Sequence, residues 1–187
     1  MKSYSLAFSG SIASGKSSLS LLIAKELNWP YVSFGDYVRS VARSRGLQAS
    51  RQVLQAVGQS LIEEGWEQFC RSVLNQVPWK PGQALVIDGV RHIEAITTLR
   101  RLISPAELLV IYISTSEAVR KMRALERGET LVQEVQDHPT EILVKNLLPQ
   151  MADLIVDGDK PITEINQELA IWFRQLASIC PNRPSIT

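Results

Sequence analysis

Eight consecutive residues, Gly10-Ser11-Ile12-Ala13-Ser14-Gly15-Lys16-Ser17, constrain this chain more than any other feature. They follow the apolar stretch Tyr4–Phe8 and lead into Ser17–Leu27, where Leu19, Leu22, Ile23 and Leu27 recur at helical spacing. A strand that runs into glycine, four residues, glycine, lysine and serine, and then into a helix, has the layout of a phosphate-binding loop. The two glycines permit backbone angles that a side chain blocks, so successive N–H groups can turn toward an anion. The helix that Gly15 opens adds unpaired N–H groups and the positive end of its dipole. Lys16 can reach the β- and γ-phosphates as a mobile charge, and the Ser17 hydroxyl suits Mg²⁺. The pattern nominates Gly10, Ser11, Ile12, Ala13, Ser14, Gly15, Lys16, Ser17 and Ser18 for nucleotide binding.

The rest of the chain alternates in the same way. Short apolar runs at Pro30–Ser33, Ala84–Ile87, Leu108–Ile113 and Leu154–Val156 predict further strands. Helical patterns occupy Tyr37–Arg45, the stretch from the N-cap Ser50 to Gly65, Trp66–Val77, Ile93–Leu102, Glu117–Arg127, Thr140–Leu148 and Ile162–Ala177. Unbroken apolar strands between helices indicate a parallel sheet of about five strands with helices on both faces, an α/β three-layer sandwich. Residues 1–180 are expected to form a single domain, with a helical insert around 36–77, a short lid around 120–140 and a loose tail at 181–187. Ligands of such sheets bind beyond the carboxyl ends of the strands, so the polar residues there matter most.

Composition narrows the partners. Twenty Lys and Arg against nineteen Asp and Glu give a net charge of +1, which argues against broad nucleic-acid binding. With 45% hydrophobic and 21% charged residues the chain can bury a core, and no apolar run is long enough for a membrane span. A cytoplasmic protein that acts on small molecules is expected; the oligomeric state is left open. Cys70 and Cys180 have no metal-ligand spacing, and Cys70 falls in an apolar helical pattern, as a buried thiol does.

Asp88 ends the third predicted strand, where a carboxylate can hold Mg²⁺ through water or orient Ser17. After the second strand, Asp36 is placed at a helix N-cap with Arg39 one turn inside; after the third, Arg91 follows Asp88-Gly89-Val90. Two guanidinium groups near one edge can clamp a second phosphate. Arg123 and Arg127 share a helix face beyond the fourth strand. Arg120 and Lys121 divide evenly between function and surface, whereas Arg43, Arg45, Arg100 and Arg101 read as solvated charge. Trp66 and Trp79 are candidates to line the acceptor side, although packing is the ordinary role of tryptophan. His138, before Pro139, reads as a loop residue.

The order of these motifs resembles the nucleoside monophosphate kinase group of P-loop proteins. It is similar to the small adenylate-kinase-like and dephospho-coenzyme-A-kinase-like ATPases, and the stretches Val32–Gly46 and Val86–Arg91 most resemble an uncharacterised archaeal branch of that group. The resemblance covers residues 4 to about 157. It implies a nucleotide-kinase-like fold and transfer of the γ-phosphoryl of ATP, with Mg²⁺, to a small phosphorylated acceptor such as a nucleoside monophosphate. Lys16, Arg91, Arg123 and Arg127 would be catalytic; Asp36, Arg39 and Arg91 would hold the acceptor, and Ser17 and Asp88 the metal. The chain departs from adenylate kinases in having Val90 rather than proline before Arg91, and no arginine between Gly128 and Asp153. A dephospho-coenzyme-A-type kinase and a nucleotide-binding switch or accessory ATPase therefore remain alternatives.

Overall fold

A computed structural model describes residues 3–48, 50–128 and 139–179. Its centre is a five-stranded sheet of β1 (Tyr4–Gly10), β2 (Tyr31–Ser33), β3 (Val86–Asp88), β4 (Glu107–Ser114) and β5 (Leu154–Asp157). The strand order is β2-β3-β1-β4-β5, and every neighbouring pair is parallel. The helices are α1 (Lys16–Leu27), α2 (Phe34–Ser44), α3 (Arg51–Glu64), α4 (Trp66–Leu74), α5 (Ile93–Leu102), α6 (Glu117–Glu126), α7 (Pro139–Asn146) and α8 (Ile162–Ile179). The expected α/β architecture is present. Of the short lid expected around 120–140, residues 129–138, His138 among them, lie outside the described ones, as do Cys180 and the 181–187 tail.

Alternating side chains of β1, β3 and β4 enter two separate apolar clusters, which is why these strands read as continuous apolar runs. Ala7, Ile87, Val110 and Tyr112 face the cluster with α2, α3, α4 and α5. Leu6, Phe8, Val86, Ile111 and Ile113 face the cluster with α1 and α8. Ile87, in the middle of the sheet, is fully buried. Ile87→Ala is expected to cost about 3 kcal/mol, measured as a lower urea midpoint at unchanged slope.

Several ends differ from the sequence reading for identifiable reasons. β1 continues to Gly10 because Ser9 and Gly10 pair with Tyr112 and Ile113 of β4. Helix α2 starts three residues early, at Phe34, because Ser33 rather than Asp36 is its N-cap. The Ser33 residue is extended (φ −137°, ψ 128°), and its hydroxyl accepts from the Asp36 N–H. Asp36 thus stands in the first turn, where a carboxylate favours the helix dipole. Ser50 does cap α3, accepting from the Val53 N–H. Cys70 is fully buried, and burial pushes its thiol pKa up to about 12, so it stays protonated near neutrality.

Candidate functional site

The site grows from the carboxyl ends of β1, β3 and β4. Strand register sets them level: Phe8 lies beside Asp88, and Gly10 beside Ile113. At Gly10 (φ +148°) a Cβ would come within 2.8 Å of both the Ile113 carbonyl oxygen and the Ser14 hydroxyl, so the loop can leave β1 only through glycine. Ala13 also has a positive φ of 61°, a strained conformation for a residue with a side chain. Gly15 (φ 91°) then opens α1 with no side-chain cap, which leaves the first N–H groups of the helix to another acceptor.

Lys16 is buried across this loop and donates to the Ser11 carbonyl oxygen at 3.1 Å. Ser17 donates to Asp88 Oδ2 at 2.7 Å, so the two residues nominated for a metal are in contact. The same Oδ2 atom accepts from Tyr31 at 3.2 Å and lies 3.5 Å from the Ser33 hydroxyl. Burial, followed by the Asp88 charge, pushes the Tyr31 hydroxyl pKa well above its ordinary value. Asp88 is 3% exposed, yet its Oδ1 atom has no hydrogen-bond partner, and neither does the buried Ser14 hydroxyl. A buried carboxylate oxygen with nothing to accept from is suited to a cation or an ordered water. No group of three or more His, Cys, Asp or Glu able to hold a metal by itself occurs among the described residues.

From the other side, α6 reaches the loop with two arginines. Arg123 Nη1 donates to the Ser14 carbonyl oxygen at 3.1 Å, and Thr115 Oγ1 donates to the same atom at 3.1 Å. Arg120 is 4% exposed, with Nη1 at 3.5 Å from the Ile12 carbonyl oxygen. Lys121, by contrast, is an exposed partner of Glu117. Arg127 follows α6 and is exposed. It lines a cleft of about 320 Å³ together with Ser14, Gly15, Ser18, Arg123, Gly158 and Lys160. Glu168 pairs with Lys160 and raises its pKa. Leu19, Ile113, Ile162 and Ile165 add apolar wall, and the charged lining, Arg123, Arg127 and Lys160 against Glu126, has a cationic excess that favours an anionic occupant.

The second group of nominated residues stands at the start of α2 and on the loop after β3. A Cβ on Gly89, just past β3, would lie 3.8 Å from the Gly35 nitrogen, so the first turn of α2 and the loop after β3 touch. Arg39 folds back over Gly35 and pairs with Asp36 at 2.7 Å; both side chains are about half exposed. Arg91 is half-buried, immediately before the first residue of the α5 entry, His92. Trp66 packs between His92 (4.9 Å between ring centroids) and Phe69 (6.2 Å), and Trp79 donates to the Gln83 carbonyl oxygen. Both tryptophans are packing residues here. Arg101 and Arg45, as expected of surface charge, pair with Glu67 and Glu64.

The sequence reading omitted Thr115 and Tyr31 and left Arg120 undecided. Thr115 had a usable signal, since it stands one residue beyond β4 at the ligand edge. Arg120 had none, because its burial depends on how α6 tilts against the loop.

A family model described as an AAA domain matches residues 9–143. The chain belongs to this family. Among its relatives, a UPF0200 protein of Pyrobaculum aerophilum is 29% identical over 88% of this chain and 93% of its own length. A UPF0200 protein of Aeropyrum pernix is 30% identical over 67% of each. The fold of this AAA-domain chain is shared with the crystal structure of shikimate kinase from Aquifex aeolicus: TM-score 0.61, 18% identity, 92% of this chain and 98% of that one. A gluconokinase from Sinorhizobium meliloti matches at TM-score 0.56, 19% identity and 94% of both chains. The chain is therefore a P-loop protein of kinase-like fold with archaeal UPF0200 relatives, as the motif order implied. No helix among the described residues is long and apolar enough to cross a membrane.

Proposed function

We propose that this chain is an ATP·Mg²⁺-dependent phosphotransferase that moves the γ-phosphoryl group of ATP to a small phosphorylated acceptor, a nucleoside monophosphate. The observation that carries the reading is the contact of Ser17 with Asp88, 2.7 Å apart beside a loop that Lys16 spans. Ser17 and Asp88 are the groups that would hold Mg²⁺; the orphaned Asp88 Oδ1 is consistent with that assignment. When bound, the ion supplies charge neutralisation on the β- and γ-phosphates.

The chain's own residues do the rest by positioning. Backbone N–H groups of the loop and of the first turn of α1 donate to the phosphate oxygens, and Lys16 leaves the Ser11 carbonyl for the β- and γ-phosphates. Arg123 and Arg127, on the cleft wall, lie over the donor and near the group in transfer. Arg39, in α2, and Arg91, on the loop after β3, hold the acceptor's phosphate, with Asp36 orienting Arg39. The helices α2, α3 and α4 are the acceptor-side insert of one kinase-like domain.

The test is ADP release with ATP·Mg²⁺ against nucleoside monophosphates, dephospho-coenzyme A, shikimate and gluconate. The last two are included because the structural neighbours are a shikimate kinase and a gluconokinase. A nucleoside monophosphate is expected to raise ADP release. Arg39→Ala is then expected to raise the acceptor's KM by about 10- to 100-fold while changing the KM for ATP less than about threefold. ADP release that ignores every acceptor would replace the kinase reading with an ATP-dependent switch. A response to shikimate or gluconate alone would leave the kinase and remove the phosphorylated acceptor.

A further inference from the structure

The geometry points to Thr115 as a positioning residue that fixes the phosphate loop in its anion-accepting form. The inference rests on the reading of residues 10–17 as a phosphate cradle and deepens it. In a trans peptide the C=O and N–H point in opposite directions. A donor that pulls the Ser14 carbonyl outward therefore turns the Gly15 N–H inward, to the side where α1 begins. Two donors hold that carbonyl, Thr115 Oγ1 and Arg123 Nη1, each at 3.1 Å.

The two donors are not equivalent. Arg123 sits on the wall of the donor cleft, and a guanidinium is drawn to a phosphate chain more strongly than to a neutral carbonyl. Once a nucleotide occupies the cleft, Arg123 has a better acceptor, and Thr115 is left to hold Ser14. The threonine can do so without moving, since it stands at the end of β4, one residue beyond the strand.

The surroundings keep the hydroxyl in this place. A Cβ on Gly158 would overlap Thr115 Oγ1 and come within 2.7 Å of Ile113 Cγ2, so the hydroxyl occupies the space that glycine leaves. The Gly158 N–H donates to the Ser114 carbonyl oxygen at 2.6 Å, and the Ser116 N–H donates to Asp159 Oδ1 at 2.8 Å. These bonds fasten the loop after β4 to the loop after β5 on both sides of Thr115. The donor-side residues Gly158–Lys160 are thereby linked to the orientation of one peptide unit in the phosphate loop.

Because Arg123 holds the carbonyl in the empty site, Thr115 contributes little to the stability of the unliganded chain and more to phosphate affinity. The test is calorimetric binding of Mg·ADP and of inorganic pyrophosphate to the full chain and to Lys16→Ala, Thr115→Val and Thr115→Ser. Thr115→Val is expected to weaken both ligands about tenfold with the unliganded melting temperature unchanged. Thr115→Ser, which keeps the hydroxyl, is expected to restore the affinity. Wild-type affinity in Thr115→Val, alongside lost binding in Lys16→Ala, would overturn the role of Thr115 and leave the cradle in place. Equal loss in Thr115→Val and Thr115→Ser would also overturn it, since the hydroxyl would not be the cause. Equal binding by the wild type and Lys16→Ala would overturn the cradle and the inference together.

Discussion

Lys16→Ala is expected to lower ATP turnover by about a thousandfold or more, with the unliganded fold retained. Lys16 is 7% exposed, and its ammonium is held against the Ser11 carbonyl oxygen inside the loop. A cation at that depth is poorly screened by salt and stands where charge on the transferred phosphoryl group must be offset. Structurally the bond to the Ser11 carbonyl is a single neutral-acceptor contact, worth about 1 kcal/mol, so its loss should lower the melting temperature by only a few degrees. The measurement is steady-state ADP release beside a thermal melt without nucleotide. Lys16→Arg is expected not to rescue turnover, because a planar fork cannot occupy the place of a compact ammonium in a loop this tight. Turnover near the wild-type rate in Lys16→Ala would remove the loop from the active site altogether.

What the sequence carried about this site follows from how local each signal is. The loop was legible because all of its determinants lie within eight residues. Glycines that permit unusual backbone angles, a lysine and a hydroxyl act at fixed spacing between a strand and a helix. The sheet was legible because the inner strands β1, β3 and β4 are buried on both faces, which leaves continuous apolar runs with no alternation to misread. Ser33 in place of Asp36 as the cap of α2 was harder. Both are capping residue types three positions apart, and the choice depends on where β2 stops pairing with β3. Contacts made across elements are not written in the sequence, even where, as for Thr115, the position beyond a strand is. Tyr31 meets Asp88 from 57 positions away, and Thr115 meets Ser14 from 101 positions away. Arg120 had the composition of surface charge and the burial of a core residue. Such contacts are fixed by strand order and helix tilt, and neither is a local property of the chain.

Asp88→Asn is expected to cut kcat by about 100-fold and to raise the Mg²⁺ concentration that gives half-maximal turnover by about tenfold. Asp88 is the one carboxylate that Ser17 touches among the described residues, and its Oδ2 atom collects Ser17 and Tyr31 while Ser33 stands nearby. Asparagine can keep its oxygen toward those hydroxyls, so their arrangement has a reason to persist. Its amide group then takes the place of Oδ1, which is buried without a partner. The substitution therefore removes the negative charge and puts a donor where a cation or water would approach. That buried donor costs about 1–3 kcal/mol in the unliganded chain, to be read from a urea titration, and it separates the structural loss from the catalytic one. If kcat falls while the Mg²⁺ requirement stays fixed, Asp88 acts through Ser17 alone. If both change, the carboxylate faces the metal. An Asp88→Asn chain that turns over ATP like the wild type would leave the three hydroxyls around Oδ2 with a purely structural purpose, that of joining β2, β3 and α1 at the edge of the sheet.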